Sequence, residues 1–260
     1  MAQPWETGDE ISRWHGYLLD DGKTLRNRVG ATTPDDLRRA EDHLVETRAL
    51  SLREHDLPGT YDLAGLQAVH RHMFQDVYDW AGELRTVSIR KSADTWFTPV
   101  PDIEPSMEVL AGHLRASDNL RAIDAQHVPG ALATVYDIVN QAHPFREGNG
   151  RVQREFLSAL ASESGHHIDW TKVTLSVGDR ENENDRVSRL ALAGDNGPMR
   201  DMFARIVTRA DRDSFDVAAF EAVRIAQAGR VTRPRSSEHG PRPAAPRIPG
   251  ASQGQEIDRT

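Results

Sequence analysis

The sequence predicts a mainly α-helical domain, a helical bundle carrying one small β-hairpin. Three observations predict it. Apolar residues recur at helical spacing along most of the chain between residues 33 and 209. Helix-start signals stand ahead of several of these stretches. Only one short segment alternates in the manner of a strand.

The first 30 residues form a polar extension with no apolar core of the kind a secretory leader needs. Thr33-Pro-Asp-Asp36 is a helix start, with Thr33 as cap, Pro34 at the first position and acids in the first turn. That helix is expected to reach about Glu54, before Asp56-Leu-Pro-Gly59 breaks it. Asp62 caps a second helix that places Leu66, Val69, Met73, Val77 and Trp80 on one face. Leu84 to Ile89 reads as a strand, Lys91 to Asp94 as a turn, and Thr95 to Phe97 as the returning strand.

Further helices are expected over Asp102 to Ser117, Pro129 to Ala142 and Asn149 to Ser162, with others near Thr171 to Ala193 and Pro198 to Arg209. The domain thus spans 31–210. One more helix is expected within 211–229, at Asp216 to Ala228. Residues 230–260 hold five of the 14 prolines and six Arg against three acids, the composition of a disordered C-terminal tail.

The chemistry concentrates in His143-Pro-Phe-Arg-Glu-Gly-Asn-Gly-Arg151, followed by Val152-Gln153-Arg154. The run is a loop leading into a helix N-terminus, where free backbone N–H groups favour anions. His143 is a candidate general base, because imidazole titrates near working pH. Glu147 is a hard oxygen ligand suited to magnesium shared with phosphate oxygens. Gly148 and Gly150 let the backbone approach a phosphate, and the Asn149 side chain is placed to donate to the same oxygens. Arg151 and Arg154 share a helix face and would neutralise phosphate charge. Phe145 lacks a polar role and is expected to anchor the loop in the core. Taken singly, each residue has a plainer reading: a capping histidine, an Asn-Gly turn, a solvated arginine pair. The set at this spacing is what points to a nucleotide site.

Every position of H-x-F-x-[D/E]-G-N-G-R-x-x-R is present, and the run resembles the Fic family signature. The resemblance extends from about Leu25 to Thr208 and includes Asp76-Val-Tyr-Asp-Trp-Ala-Gly-Glu-Leu-Arg-Thr-Val87, which is similar to the lead-in to a Fic flap hairpin. It implies a protein adenylyltransferase that moves AMP from ATP, with Mg2+, to a Ser, Thr or Tyr hydroxyl of a target protein. By the same likeness His143 is the base, Glu147 holds magnesium, Asn149 and the flanking glycines bind phosphates, and Arg151 and Arg154 hold the β- and γ-phosphates. Ile89, Arg90 and Lys91 would be the flap contacts, holding the target in extended form by strand addition.

Similar enzymes are restrained by a helix with the pattern [S/T]-x-x-x-E-[G/N]. Here the Glu residues followed by Gly or Asn are Glu147, Glu181 and Glu183, and His143, Val177 and Asp179 stand four positions before them. The resemblance therefore implies the bacterial toxin subclass whose inhibitor is a separate small antitoxin. In similar toxins the targets include the ATPase subunits of DNA gyrase and topoisomerase IV.

Composition narrows the field. The net charge of −8, from 32 basic and 40 acidic residues, argues against nonspecific nucleic-acid binding. Without cysteine there is neither a disulfide nor a thiolate metal site. No apolar run approaches a membrane span, and a cytoplasmic address fits. His70 and His72 stand two apart on a helix, and neither a zinc-protease nor a P-loop motif is present. Three readings compete with adenylyl transfer. A Fic-like kinase is disfavoured because Gly148 and Gly150 are retained. A transferase of another phosphate-donor group and a silent nucleotide- or protein-binding module are the others.

Overall fold

The computed structural model describes residues 2–52, 59–92, 95–175 and 181–210. The expected helix at 216–228 and the Pro/Arg-rich tail lie outside the described residues. The elements in chain order are α1 (Glu10–Gly16), α2 (Pro34–Ser51), α3 (Leu63–Phe74), β1 (Arg90–Ser92), β2 (Thr95–Trp96), α4 (Ile103–Ala116), α5 (Val128–Ala142), α6 (Asn149–Glu163), β3 (His166–Ile168), α7 (Thr171–Thr174), α8 (Glu183–Leu192), α9 (Gly197–Ile206) and β4 (Val207–Arg209). The mainly helical expectation holds.

Local chemistry sets the starts of the helices. Thr33 Oγ1 accepts the Asp36 N–H, with Pro34 in the first turn of α2. Asp62 accepts the Gly65 N–H at the head of α3. Helix α5 lies at the centre, packed against α4, α6, α8 and α9, and buries Leu132, Val135, Tyr136 and Val139. Helix α6 answers with Val152, Phe156, Leu157 and Leu160. The N-terminal residues join the same core: Trp5 and Tyr17 are buried, stacked on each other at 5.8 Å, and Tyr17 meets Trp80 edge-on.

Several boundaries differ from expectation for physical reasons. Helix α3 ends at Phe74, although Val77 and Trp80 are fully buried. They reach the core from a turn, where the Val77 carbonyl accepts the Arg28 N–H and Asp76 is held bidentately by Arg48 of α2 at 2.7 and 3.0 Å. Leu84 to Ile89 is not a strand, and β1 begins only at Arg90. Its backbone groups find other partners: Arg85 N–H donates to Pro144 O, Thr86 O accepts from Arg13, and Ser88 N–H donates to Glu10. The hairpin itself is shorter than expected, pairing Arg90 with Trp96 and Ser92 with Thr95; residues 93–94 of its turn lie outside the described residues.

The helical stretch expected over Thr171 to Ala193 divides into α7 and α8, with residues 176–180 between them outside the description. The last expected helix stops at Ile206, and Val207–Arg209 pairs antiparallel with His166–Ile168. Two three-residue strands leave too short an alternation for sequence reading to detect.

Candidate active site

His143 terminates α5 in the left-handed conformation, with φ 40° and ψ 60°. The turn lifts the imidazole out of the helix and lays it against Phe97, with ring centroids 3.7 Å apart. Its Nδ1 lies 3.3 Å from the Asn140 carbonyl, which only accepts, so Nδ1 carries the proton and Nε2 keeps a free lone pair. Burial lowers its pKa to about 3, the Asn140 hydrogen bond opposes that shift, and the positive charges of Lys91 and Arg85 add to it. The imidazole is therefore neutral at neutral pH.

The loop that follows is closed by its own side chains. Asn149 Oδ1 accepts the Phe145 N–H at 2.8 Å, and Asn149 Nδ2 donates to the Phe145 carbonyl at 2.7 Å. Both ends of the carboxamide expected to face phosphates are thus engaged in holding the loop. The N–H groups of the first turn of α6 are left over, the kind of group that favours an anion. Phe145 is fully buried, as expected of an anchor.

Gly148 caps α6 at φ +84°, and a methyl group there would stand 2.3 Å from the Phe74 ring. At Gly150 a methyl group would meet only Arg154 Nη1, at 3.7 Å. The two glycines therefore separate by experiment. Gly148→Ala is expected to cost roughly 2–5 kcal/mol of stability, from left-handed strain and overpacking, read by urea unfolding. Gly150→Ala, inside a helix, is expected to keep stability yet weaken Mg-ATP binding by calorimetry. Unfolding of Gly150→Ala would make that glycine structural.

Glu147, His143 and the flap residues Ile89, Arg90 and Lys91 line one cleft of about 1100 Å³. The Glu147 side chain is 45% exposed, and its Oε1 accepts the Gly148 N–H at 2.9 Å. Among the described residues no group of three or more His, Asp or Glu gathers to form an all-protein metal cage. One carboxylate beside a helix N-terminus nonetheless fits magnesium, which takes most of its ligands from phosphates and water.

The two arginines part company. Arg154 pairs with no carboxylate among the described residues. Arg151 is held by buried Glu41, which also accepts from Tyr78, and lies 3.4 Å from Asp42 and 3.6 Å from Glu147, over the Phe74 ring. It lines a second cavity of about 400 Å³ behind Glu147 rather than the main cleft.

Sequence reasoning missed two residues that hold this site. His70 is fully buried between Phe74 and Phe145, at 4.7 and 3.9 Å. Its Nδ1 accepts the Gly82 N–H at 2.7 Å, and its Nε2 donates to the Glu147 carbonyl at 3.1 Å. Only the neutral ring satisfies both bonds, and burial lowers its pKa to about 3. Arg85, also buried, donates to the carbonyls of His143, Val87, Thr98 and Ala142.

Two imidazoles with lowered pKa fix the sign of acid destabilisation. Each binds its proton more readily in the unfolded chain, near pH 6.5, than in the folded one, near 3. Their contribution to stability is complete above about pH 6.5 and is lost as pH falls towards 3. Urea midpoints should fall across that window, and less so in His70→Gln. An equal fall in that variant would remove His70 from the account.

With this geometry in place, the comparisons with known proteins are direct. The Fic/DOC family model matches residues 60–161. The probable protein adenylyltransferase y4lH of Sinorhizobium fredii is 37% identical over 151 residues, covering 57% of this chain and 76% of that protein. Protein adenylyltransferase VbhT of Bartonella schoenbuchensis is 34% identical over 157 residues, covering 60% of this chain; the chain spans only 33% of VbhT's length. Among solved structures, BepC of Bartonella tribocorum with bound AMPPNP superposes with a TM-score of 0.68 at 27% identity, covering 75% of this chain and 97% of that one. The chain belongs to the Fic/DOC family.

Proposed function

We propose that this chain is a protein adenylyltransferase that transfers AMP from ATP to a Ser, Thr or Tyr hydroxyl of a target protein. The observation that carries the reading is the contact of His143 Nδ1 with the Asn140 carbonyl, which assigns the tautomer. Its protonated Nδ1 is tied to Asn140 O, which leaves the Nε2 lone pair for an incoming hydroxyl. In the step, His143 Nε2 takes the hydroxyl proton and the oxygen forms a bond to the α-phosphorus. The bond from that phosphorus to the oxygen bridging to the β-phosphate breaks, and pyrophosphate departs.

The amides at Asn149 and Gly150 and the guanidinium of Arg154 hold the phosphates, and Arg151 supplies charge from behind Glu147. Glu147 would hold magnesium, which supplies neutralisation of phosphate charge. Ile89, Arg90 and Lys91 hold the target segment at the flap. These are positioning and electrostatic effects, which dominate phosphoryl-transfer catalysis.

The [S/T]-x-x-x-E-[G/N] pattern is absent from the sequence, and Arg154 lacks a carboxylate partner among the described residues. Both support a toxin whose inhibitory glutamate comes from a separate antitoxin. The test uses ATP labelled at the α-phosphate, magnesium and bacterial lysate. A labelled protein band is expected, and its excision names the target, with the gyrase and topoisomerase IV ATPase subunits as first candidates. Label arriving only from the γ-phosphate would make the chain a kinase and overturn the reading.

A further inference from the structure

The cleft that holds His143 has a wall the family signature does not describe. Helix α1 lines it together with the flap and contributes Glu10, Ile11 and Trp14. A seven-residue helix has no stability of its own, and this one is tied to the segment leading into the flap. Glu10 accepts the Ser88 N–H at 2.6 Å, Arg13 Nε donates to Thr86 O at 2.9 Å, and Thr86 Oγ1 donates to Trp5 O. The two walls are thereby fixed relative to each other.

The lining combines exposed apolar side chains with cationic ones. Ile11 is 70% exposed, Trp14 38% and Trp96 57%, and these are three of the six large apolar side chains exposed among the described residues. Gathering them in one concave surface is the mark of a binding site. Arg146 lies beneath, its guanidinium 4.4 Å over the Trp14 ring. Its Nε is buried without a hydrogen-bond partner, and a cation so placed is stabilised by an incoming carboxylate. Arg90 and Lys91 add positive charge from the flap. Of the two carboxylates in the lining, Glu10 is engaged by Ser88, and Glu147 accepts the Gly148 N–H, its charge acting on Arg146 without an ion pair between them.

We propose that α1 is the second wall of the acceptor cleft, and that Ile11, Trp14 and Arg146 form a specificity subsite for a target segment carrying a large apolar side chain and a carboxylate beside its acceptor hydroxyl. The inference rests on the adenylyl-transfer reading for its occupant. The apolar side chain packs against Ile11 and Trp14, and the carboxylate pairs with Arg146.

The probes are short fluorescein-labelled Gly/Ser peptides holding one Thr flanked by Phe and Glu, with versions in which Phe is replaced by Ser or Glu by Lys. Anisotropy titration should show preference for the Phe/Glu peptide. Ile11→Ser/Trp14→Ala should weaken it by roughly tenfold, as loss of an interface anchor does, with Mg-ATP affinity unchanged. Ile11→Ser alone, at an exposed position, guards against misfolding of the double variant and should give part of the loss.

Equal binding of all peptides, no binding of any, or unaltered binding by the variants would overturn the proposal. So would a dimer that dissociates in the double variant without any peptide preference, since the occupant would then be a second copy. Transfer from α-labelled ATP is read separately. Preferential binding without any labelling would sink the adenylyl-transfer reading alone, and labelling without preference would sink the subsite alone.

Discussion

His143→Ala is expected to lower AMP transfer by about 100- to 10,000-fold, the usual worth of a positioned general base, while Mg-ATP binding persists. On the proposed reading, binding persists because the phosphates would meet the amides at the head of α6 and Arg154, not the imidazole. The left-handed backbone at φ 40° complicates alanine, which loses the stacking on Phe97 and tolerates this region poorly. His143→Asn separates the effects, because asparagine accepts left-handed geometry but is no base. Both variants should be inactive, with Asn the more stable. Labelling of the target at the native rate by either would sink the role of His143. The imidazole's pKa of about 3 describes the site without substrate. Triphosphate charge nearby favours the protonated ring and should raise that value, so the acid limb of kcat should lie above it.

Arg85→Met is expected to be the most damaging change outside the signature. Arg85 is a positioning residue: it bonds the two final carbonyls of the α5 terminus, Ala142 at 3.3 Å and His143 at 2.9 Å. It also bonds Val87 before the flap at 2.8 Å and Thr98 after it. A cation there complements the helix dipole and sets the turn that presents His143. Methionine matches its bulk but leaves buried carbonyls unpaired, at a cost of roughly 3 kcal/mol or more, which lowers Tm by roughly 6–12 °C.

Activity should fall mainly through kcat, with KM for ATP little changed. Because the Arg85 charge also lowers the His143 pKa, an NMR titration of His143 should show it raised in the methionine variant. Arg85→Lys, with charge but fewer donors, should restore the pKa more fully than the rate. A stable Arg85→Met enzyme with native kcat would remove Arg85 from the mechanism.

The sequence by itself determined the helical class, the caps at Thr33 and Asp62, the helix before the signature and the signature itself. These are local facts: helical burial repeats within a few residues, and a cap or positive-φ turn is specified by the residues that form it. It did not reveal where Arg151 points, that Asn149 closes its own loop, or that Leu84 to Ser88 is pinned rather than paired.

Those outcomes depend on partners far away in the chain. Arg85 meets His143 across 58 residues, His70 meets Glu147 across 77, and Arg151 meets Glu41 across 110. A periodic pattern records which face of an element is buried, but not which carbonyl or carboxylate another element brings opposite it. The signature therefore named candidate groups, and only the tertiary structure decided which of its side chains face the cleft, which are consumed in holding the loop, and that α1 and the flap line one cleft.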